Sequence, residues 1–260
     1  MKMILHKTLP FTFFGFILAI TFGCTTISLA QKKNHTAMIQ VSTYPALQMG
    51  MFNGDVTYAQ LKEAGDFGLG TFNNIDGEMV ALDGKFYQAK TDGSVNLADT
   101  TWKTPFATVH FFKSDRQVIL KDSIQGYDQL RTYLTRQFPT DNNPAAFKIA
   151  GTFSYLKLRS VPKQSEPFPT LAEVVAKQTT FEFRNIKGTL VGYRVPEYLA
   201  AINWPGYHLH FISDDRQHAG HMLECSLIEA IIAMDEFDSV TFLIPQTANF
   251  QKKDFSKTQK

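Results

Sequence analysis

Residues 206–221 read Gly206-Tyr-His-Leu-His-Phe-Ile-Ser-Asp-Asp-Arg-Gln-His-Ala-Gly-His221. Side chains alternate across a strand with period two. On a strand His208 and His210 therefore share one face, and Tyr207, Leu209 and Phe211 turn to the other, into apolar packing. The polar run 213–220 reads as a turn, which would bring His221 alongside His210 on a returning strand. Three protein nitrogens with an open position is the arrangement of a catalytic zinc rather than a structural one. This stretch places a β-hairpin at the heart of the chain and makes His208, His210 and His221 candidate metal ligands.

Beyond the hairpin the reading branches. Residues 219–234 have a composition that also suits a helix, whereas the alternation His221, Leu223, Cys225, Leu227 favours a strand. A helix would still present His221 from its first turn. Residues 240–244 form a further strand. Upstream, 180–183 and 188–194 read as strands, 171–177 as a short helix and 147–161 as one long strand. The proline-rich bridge 162–169 suggests a domain boundary. Residues 124–137 carry apolar side chains at Ile124, Tyr127, Leu130 and Leu134, which suits an amphipathic helix. Residues 108–112 and 117–120 are strands.

Asp76-Gly77, Asp83-Gly84 and Asp92-Gly93 punctuate apolar segments, and Asp-Gly is a strong hairpin signal. They frame a meander of 69–73, 78–82 and 85–89. Thr57 followed by residues 58–64 and Gly65 reads as a capped helix with a glycine stop. Residues 31–42 read as polar and frayed. The sum is a β-rich α+β chain of the broad α/β class: two packed mixed β-sheet domains with a few short helices, divided at 31–165 and 166–260, the metal ligands lying in the second.

The first 30 residues read as an address. Lys2 and Lys7 precede an apolar run over 9–20, and Ser28-Leu29-Ala30 is a small-x-small cleavage site. The run is too short for a stable membrane span. Cleavage after Ala30 is favoured over lipidation of Cys24, because Thr21-Phe22-Gly23 makes a poor lipobox. The expectation is an exported, periplasmic or secreted, protein. Removal of this segment takes two lysines and no acid, leaving a formal charge near zero. That gives no basic footprint for nucleic acid and points to a small-molecule substrate. Only Cys225 then remains, so no internal disulfide can form.

Four segments together resemble the bacterial α-acetolactate decarboxylases. They are Gly70-Thr-Phe-Asn-Asn-Ile-Asp-Gly-Glu-Met-Val-Ala-Leu-Asp-Gly84, Thr104-Pro-Phe-Ala-Thr-Val, Gly151-Thr-Phe with Leu158-Arg-Ser-Val-Pro162, and Gly206-Tyr-His-Leu-His-Phe with Gly220-His221. Each alone is weak; in this order across the chain they are specific. The resemblance implies a zinc enzyme, a homodimer, that converts the 2-hydroxy-3-keto acid 2-acetolactate to acetoin and carbon dioxide. It places the zinc on His208, His210 and His221, an acid/base on Glu78, and further active-site roles on Arg159 and Thr71. The family also has a second active-site glutamate in a longer C-terminal tail. Residues 250–260 contain no glutamate, and Asp254 is the acid available there.

Zinc held by neutral imidazoles stays strongly positive and can stabilise the enediolate left by loss of carbon dioxide. Arg159 suits pairing with the carboxylate, because a guanidinium stays charged at working pH. Glu78 would move protons. Thr71 would position Glu78 or the substrate by a hydrogen bond. Against these stand plainer readings. Glu78 beside a turn reads as a solvated carboxylate and Arg159 as a surface or ion-paired residue. His218 falls outside the ligand pattern and reads as exposed. One of Asp214, Asp215 and Arg216 could support a ligand histidine, and Cys225 reads as buried packing. A zinc hydrolase and a non-enzymatic periplasmic metal or ligand binder are the alternative functions.

Overall fold

Strands dominate the computed structural model, which describes residues 37–256. The expected signal segment 1–30, with Cys24, lies outside the described residues. In chain order the strands are β1 (Met38–Val41), β2 (Val56–Thr57), β3 (Phe67–Thr71), β4 (Glu78–Leu82), β5 (Lys85–Ala89), β6 (Val95–Leu97), β7 (Lys103–Thr104), β8 (Ala107–His110), β9 (Arg116–Leu120), β10 (Ala145–Ser160), β11 (Thr179–Val195), β12 (Gly206–Ser213), β13 (Ala219–Glu236) and β14 (Val240–Leu243). The helices are short: α1 (Tyr44–Gln48), α2 (Tyr58–Ala64), α3 (Tyr127–Thr135), α4 (Leu171–Val175) and α5 (Ala248–Lys252). None of the described helices is long and apolar enough to cross a membrane.

One sheet has the order β14-β1-β8-β3-β4-β5-β6 and is mixed, because β1 and β14 run parallel. A second has the order β10-β11-β12-β13-β9 and is wholly antiparallel. It closes on itself, since β10 pairs with both β11 and β13. Phe147, Ile149, Leu156, Leu158, Leu209 and Phe211 fill its interior. A separate apolar cluster, with Phe67, Leu69, Val80 and Leu82 from the first sheet and Val191, Tyr193 and Ile212 from the second, joins the two.

The boundary expected at residue 165 does not divide these sheets. β9 and β10 precede it yet belong to the closed sheet, and β14 follows it yet pairs with β1. Each strand joins the sheet that covers its apolar face, and chain order does not decide this. The described residues lie within one compact unit.

Local chemistry explains the elements. Asp83 and Gly84 both take positive φ, 52° and 74°, the conformation of a two-residue hairpin turn, and they join β4 to β5 as expected. Thr57 and Gln60 form a reciprocal capping box on α2. Gly65 ends that helix by a different route from the one expected. Its φ is 178°, and a Cβ there would come within 2.5 Å of the His110 backbone, so close approach requires the glycine. α3 starts at Tyr127 and not at 124, because Ile124 exchanges backbone hydrogen bonds with Leu227 at 2.9 Å and Gly126 has φ 87°.

Three further expectations change. Residues 38–41 are not frayed: β1 sits between β8 and β14, and the buried Gln40 accepts from Thr108 and Asn203 at 2.7 and 2.6 Å. Residues 180–194 form one continuous strand with their neighbours. The ambiguous 219–234 is strand, its backbone partnered by β12, β10 and β9. Its simple alternation fails, because Lys157 pairs Glu224 while Leu158 pairs Met222. The bulge at Leu223 lets His221 face the first sheet while Met222 and Cys225 both enter the interior.

Candidate metal centre and active site

Strand parity builds the site between the sheets. Phe67 and Leu69 of β3 pack toward the closed sheet, so Thr71 follows on that face. Val80 and Leu82 place Glu78 of β4 likewise. From the other side, Leu209 and Phe211 enter the closed interior, which turns His208 and His210 outward toward β4. His210 pairs directly with His221 across the hairpin, and His221 pairs with Arg159 of β10. The site is thus not internal to a C-terminal domain: its imidazoles come from the closed sheet, and Glu78 with Thr71 from the facing one.

The three imidazoles converge. His208 Nε2 lies 3.1 Å from His210 Nε2 and 3.1 Å from His221 Nδ1. Four-coordinate zinc with Zn–N near 2.0–2.1 Å puts neighbouring ligand nitrogens roughly 3.3 Å apart, so the observed spacing fits a shared ion. His210 Nδ1 donates to the Met79 carbonyl at 2.8 Å, which leaves the Nε2 lone pair for a metal. Burial is the first cause holding all three rings neutral: His208 is lowered to about 3, and His210 and His221 fall well below the ordinary histidine range. Neutral rings are the ligand form. Among the described residues these three form the one cluster of histidine, cysteine or acid that could hold a metal.

Glu78 is buried and not solvated. Its Oε1 accepts from Arg159 Nη1 at 2.9 Å, and its Oε2 lies 3.6 Å from His210 Nε2. Burial raises its pKa and the Arg159 cation opposes that rise. Thr71 does not hydrogen-bond Glu78. Its Oγ1 donates to the Gly77 carbonyl at 2.6 Å, so it fixes the turn that launches β4. Asp215 accepts from Ser213 and Gln217, and Arg216 donates to the Ser213 carbonyl; none supports a ligand histidine. The Met79 carbonyl does that, a backbone group with no side-chain signal in the sequence. His218 is half-buried against Phe183, at 4.7 Å between ring centroids, and stands apart from the cluster. Cys225 is buried in the closed interior, where burial pushes its thiol up to about 12.

Thr71, Glu78, Arg159, His208 and His221 line a cavity of about 390 Å³, with His210 behind them. Its other walls include Tyr44, Leu47, Ile75, Phe106 and Trp204, of which the sequence reading singled out none. Among its lining residues Glu78 is the only carboxylate. Asp254 is exposed, accepts from Ser256 and does not line this cavity, so it does not stand in for a tail glutamate.

An apolar cavity that gathers three neutral imidazoles, a buried carboxylate and a guanidinium is an enzyme site for a small anionic substrate. The model of the alpha-acetolactate decarboxylase family matches residues 38–257. The Methanosarcina mazei alpha-acetolactate decarboxylase is 43% identical over 82% of this chain and 74% of its own length. That of Brevibacillus brevis is 41% identical over 85% and 77%. The crystal structure of the Bacillus subtilis 168 enzyme superposes with a TM-score of 0.82 at 31% identity, covering 85% of this chain and 94% of that one. The chain belongs to the alpha-acetolactate decarboxylase family, and it is a carboxy-lyase.

Proposed function

We propose that this protein decarboxylates 2-acetolactate to acetoin with zinc as its resident ion. The observation that carries the reading is the convergence of three imidazole nitrogens, two of whose rings line the cavity that also holds the Glu78–Arg159 pair. Zinc bound there supplies Lewis acidity to the substrate oxygens. Breaking the bond from the carboxyl carbon to C2 releases carbon dioxide and sends the electron pair toward the neighbouring ketone. Arg159 has five N–H donors, so it can keep Glu78 and still take the departing carboxylate. Glu78 accepts the substrate hydroxyl proton and returns it to carbon, and one proton taken up from solvent restores the hydroxyl, so that each turnover consumes one proton. Glu78 stands on one wall only, so the new stereocentre receives its proton from one face. Burial raises its pKa while the Arg159 cation opposes the rise, and a carboxyl drawn upward from its ordinary value is a better proton acceptor while still able to donate. The apolar walls exclude water and strengthen these interactions.

The test is acetoin formation from racemic 2-acetolactate by the purified protein, with and without a chelator. Chelator-sensitive acetoin above the spontaneous rate supports the reading. Bound zinc with no acetoin would transfer support to a zinc hydrolase or a metal-binding protein. The same reading includes export with cleavage after Ala30, supported by the residue pattern of 1–30, and a homodimer, supported by the family resemblance. The mature N-terminus by mass spectrometry and the mass by sedimentation check each.

A further inference from the structure

Tyr44, Tyr127 and Tyr207 line the cavity. Two of their hydroxyls serve the framework: Tyr127 donates to the Tyr207 carbonyl at 3.0 Å, and Tyr207 pairs with Thr135 Oγ1 at 2.8 Å. The Tyr44 hydroxyl has the Gln48 side chain beside it and lies within electrostatic reach of Arg159. Its ring is fixed in place. The Tyr44 amide donates to the Ile202 carbonyl at 2.9 Å, and the ring meets Trp204 edge-on with centroids 5.0 Å apart.

Trp204 is itself pinned. Its amide donates to Asn203 Oδ1 at 2.7 Å, and the buried Asn203 donates to Gln40 Oε1 at 2.6 Å and Thr108 Oγ1 at 2.9 Å. A buried polar network under β1 and β8 thus holds an aromatic wall, and its Tyr44 lines the same cavity as Arg159. Burial pushes the Tyr44 hydroxyl up and Arg159 opposes this, so the group is a neutral donor at working pH.

We propose that Tyr44 is a substrate-contacting residue whose hydroxyl donates to the substrate carboxylate, completing with Arg159 a two-pronged anion clamp. Arg159 already commits Nη1 to Glu78, and a second donor from another element fixes the direction in which the carboxylate points. The clamp rests on reading the cavity as the acetolactate site. Because it acts on the group that leaves, it contributes chiefly to binding and orientation.

Tyr44→Phe tests it, since phenylalanine keeps the ring and its Trp204 contact. The probes are 2,3-dihydroxy-2-methylbutanoate and acetoin, bound to the metal-loaded protein and followed by calorimetry. The first keeps the carboxylate but has no ketone to accept the electron pair, so it is not turned over. The second lacks the carboxylate. The expected result is acid binding weaker by about 10-fold or more, with acetoin binding within about twofold of wild type. KM for acetolactate should rise in parallel while kcat holds within about threefold. Equal weakening of both probes would assign Tyr44 a merely structural role, and no weakening would remove it from the site; either overturns the clamp while leaving the decarboxylase reading intact. A wild-type protein that binds neither probe and makes no acetoin would overturn that reading and the clamp with it.

Discussion

Glu78→Gln separates chemistry from architecture. The glutamate is 6% exposed, donates nothing while ionised, and accepts from Arg159 at 2.9 Å. Glutamine keeps the shape and an oxygen for Arg159, so a charge-assisted bond becomes a neutral one. That difference is about 1 kcal/mol, and relief from burying a charge offsets part of it. The fold and the three imidazoles should survive, with metal content at wild-type level and the unfolding midpoint moved by only a few degrees. The amide cannot carry the proton. Loss of a general acid/base lowers rate about 10²- to 10⁴-fold, or about 2.7 to 5.4 kcal/mol in the barrier. The assay is acetoin from racemic acetolactate with the spontaneous rate subtracted, beside metal analysis of the same sample. A variant that keeps its metal and turns over within about threefold of wild type would remove Glu78 from the chemistry.

Further outcomes follow from the same geometry. His221→Ala leaves two imidazoles and should weaken metal binding by more than the ~100-fold typical of losing an outer partner, while His218→Ala, outside the cluster, leaves metal content unchanged; a chelator competition titration reads both. Glu224 accepts from the Tyr127 amide and so caps α3 from β13; Glu224→Ala should cost about 1 kcal/mol and lower Tm by about 2–4 °C, read by calorimetry. His110 is buried between the sheets, with Nδ1 2.8 Å from the Tyr193 hydroxyl and Nε2 3.5 Å from Asp235. Burial lowers its pKa from 6.5 despite the opposing pull of Asp235. The unfolded chain therefore binds a proton near this histidine's ordinary pKa that the folded chain refuses, so stability is complete above about pH 6.5 and falls as pH drops below it. Denaturant midpoints at pH 8 and pH 5.5 should differ less in His110→Gln than in wild type; an equal difference refutes this role.

What could be read in the sequence was local or repeated. Asp83-Gly84 specifies its hairpin because both residues accept positive φ, and β4 and β5 fall where the Asp-Gly spacing puts them. The His-x-His pair needs only strand parity, and His221 needs only a turn that returns the chain one strand over. What could not be read depends on partners far along the chain. β1 contains a polar Gln40, which is tolerated because Thr108 and Asn203, 68 and 163 residues away, satisfy it. The helical composition of 219–234 is overridden by strands on either side, each of which must have its own backbone groups paired. No parity rule foresees the bulge at Leu223, yet the bulge lets His221 face His208 and His210 while its neighbours fill the core.

Glu78 and Arg159 show where the two kinds of information meet. They stand 81 residues apart, and neither carries a local signal that separates it from an ordinary surface charge. Their roles came from resemblance, and their pairing from a sheet closing against a sheet. Strand parity turns each toward the other's sheet, and the apolar cluster between those sheets removes the water that would otherwise screen them. The packing that stabilises the fold therefore also raises the strength of every charge interaction in the cavity. A polar substitution in that cluster, as at Val80 or Leu69, should then weaken catalysis as well as stability although neither side chain lines the cavity.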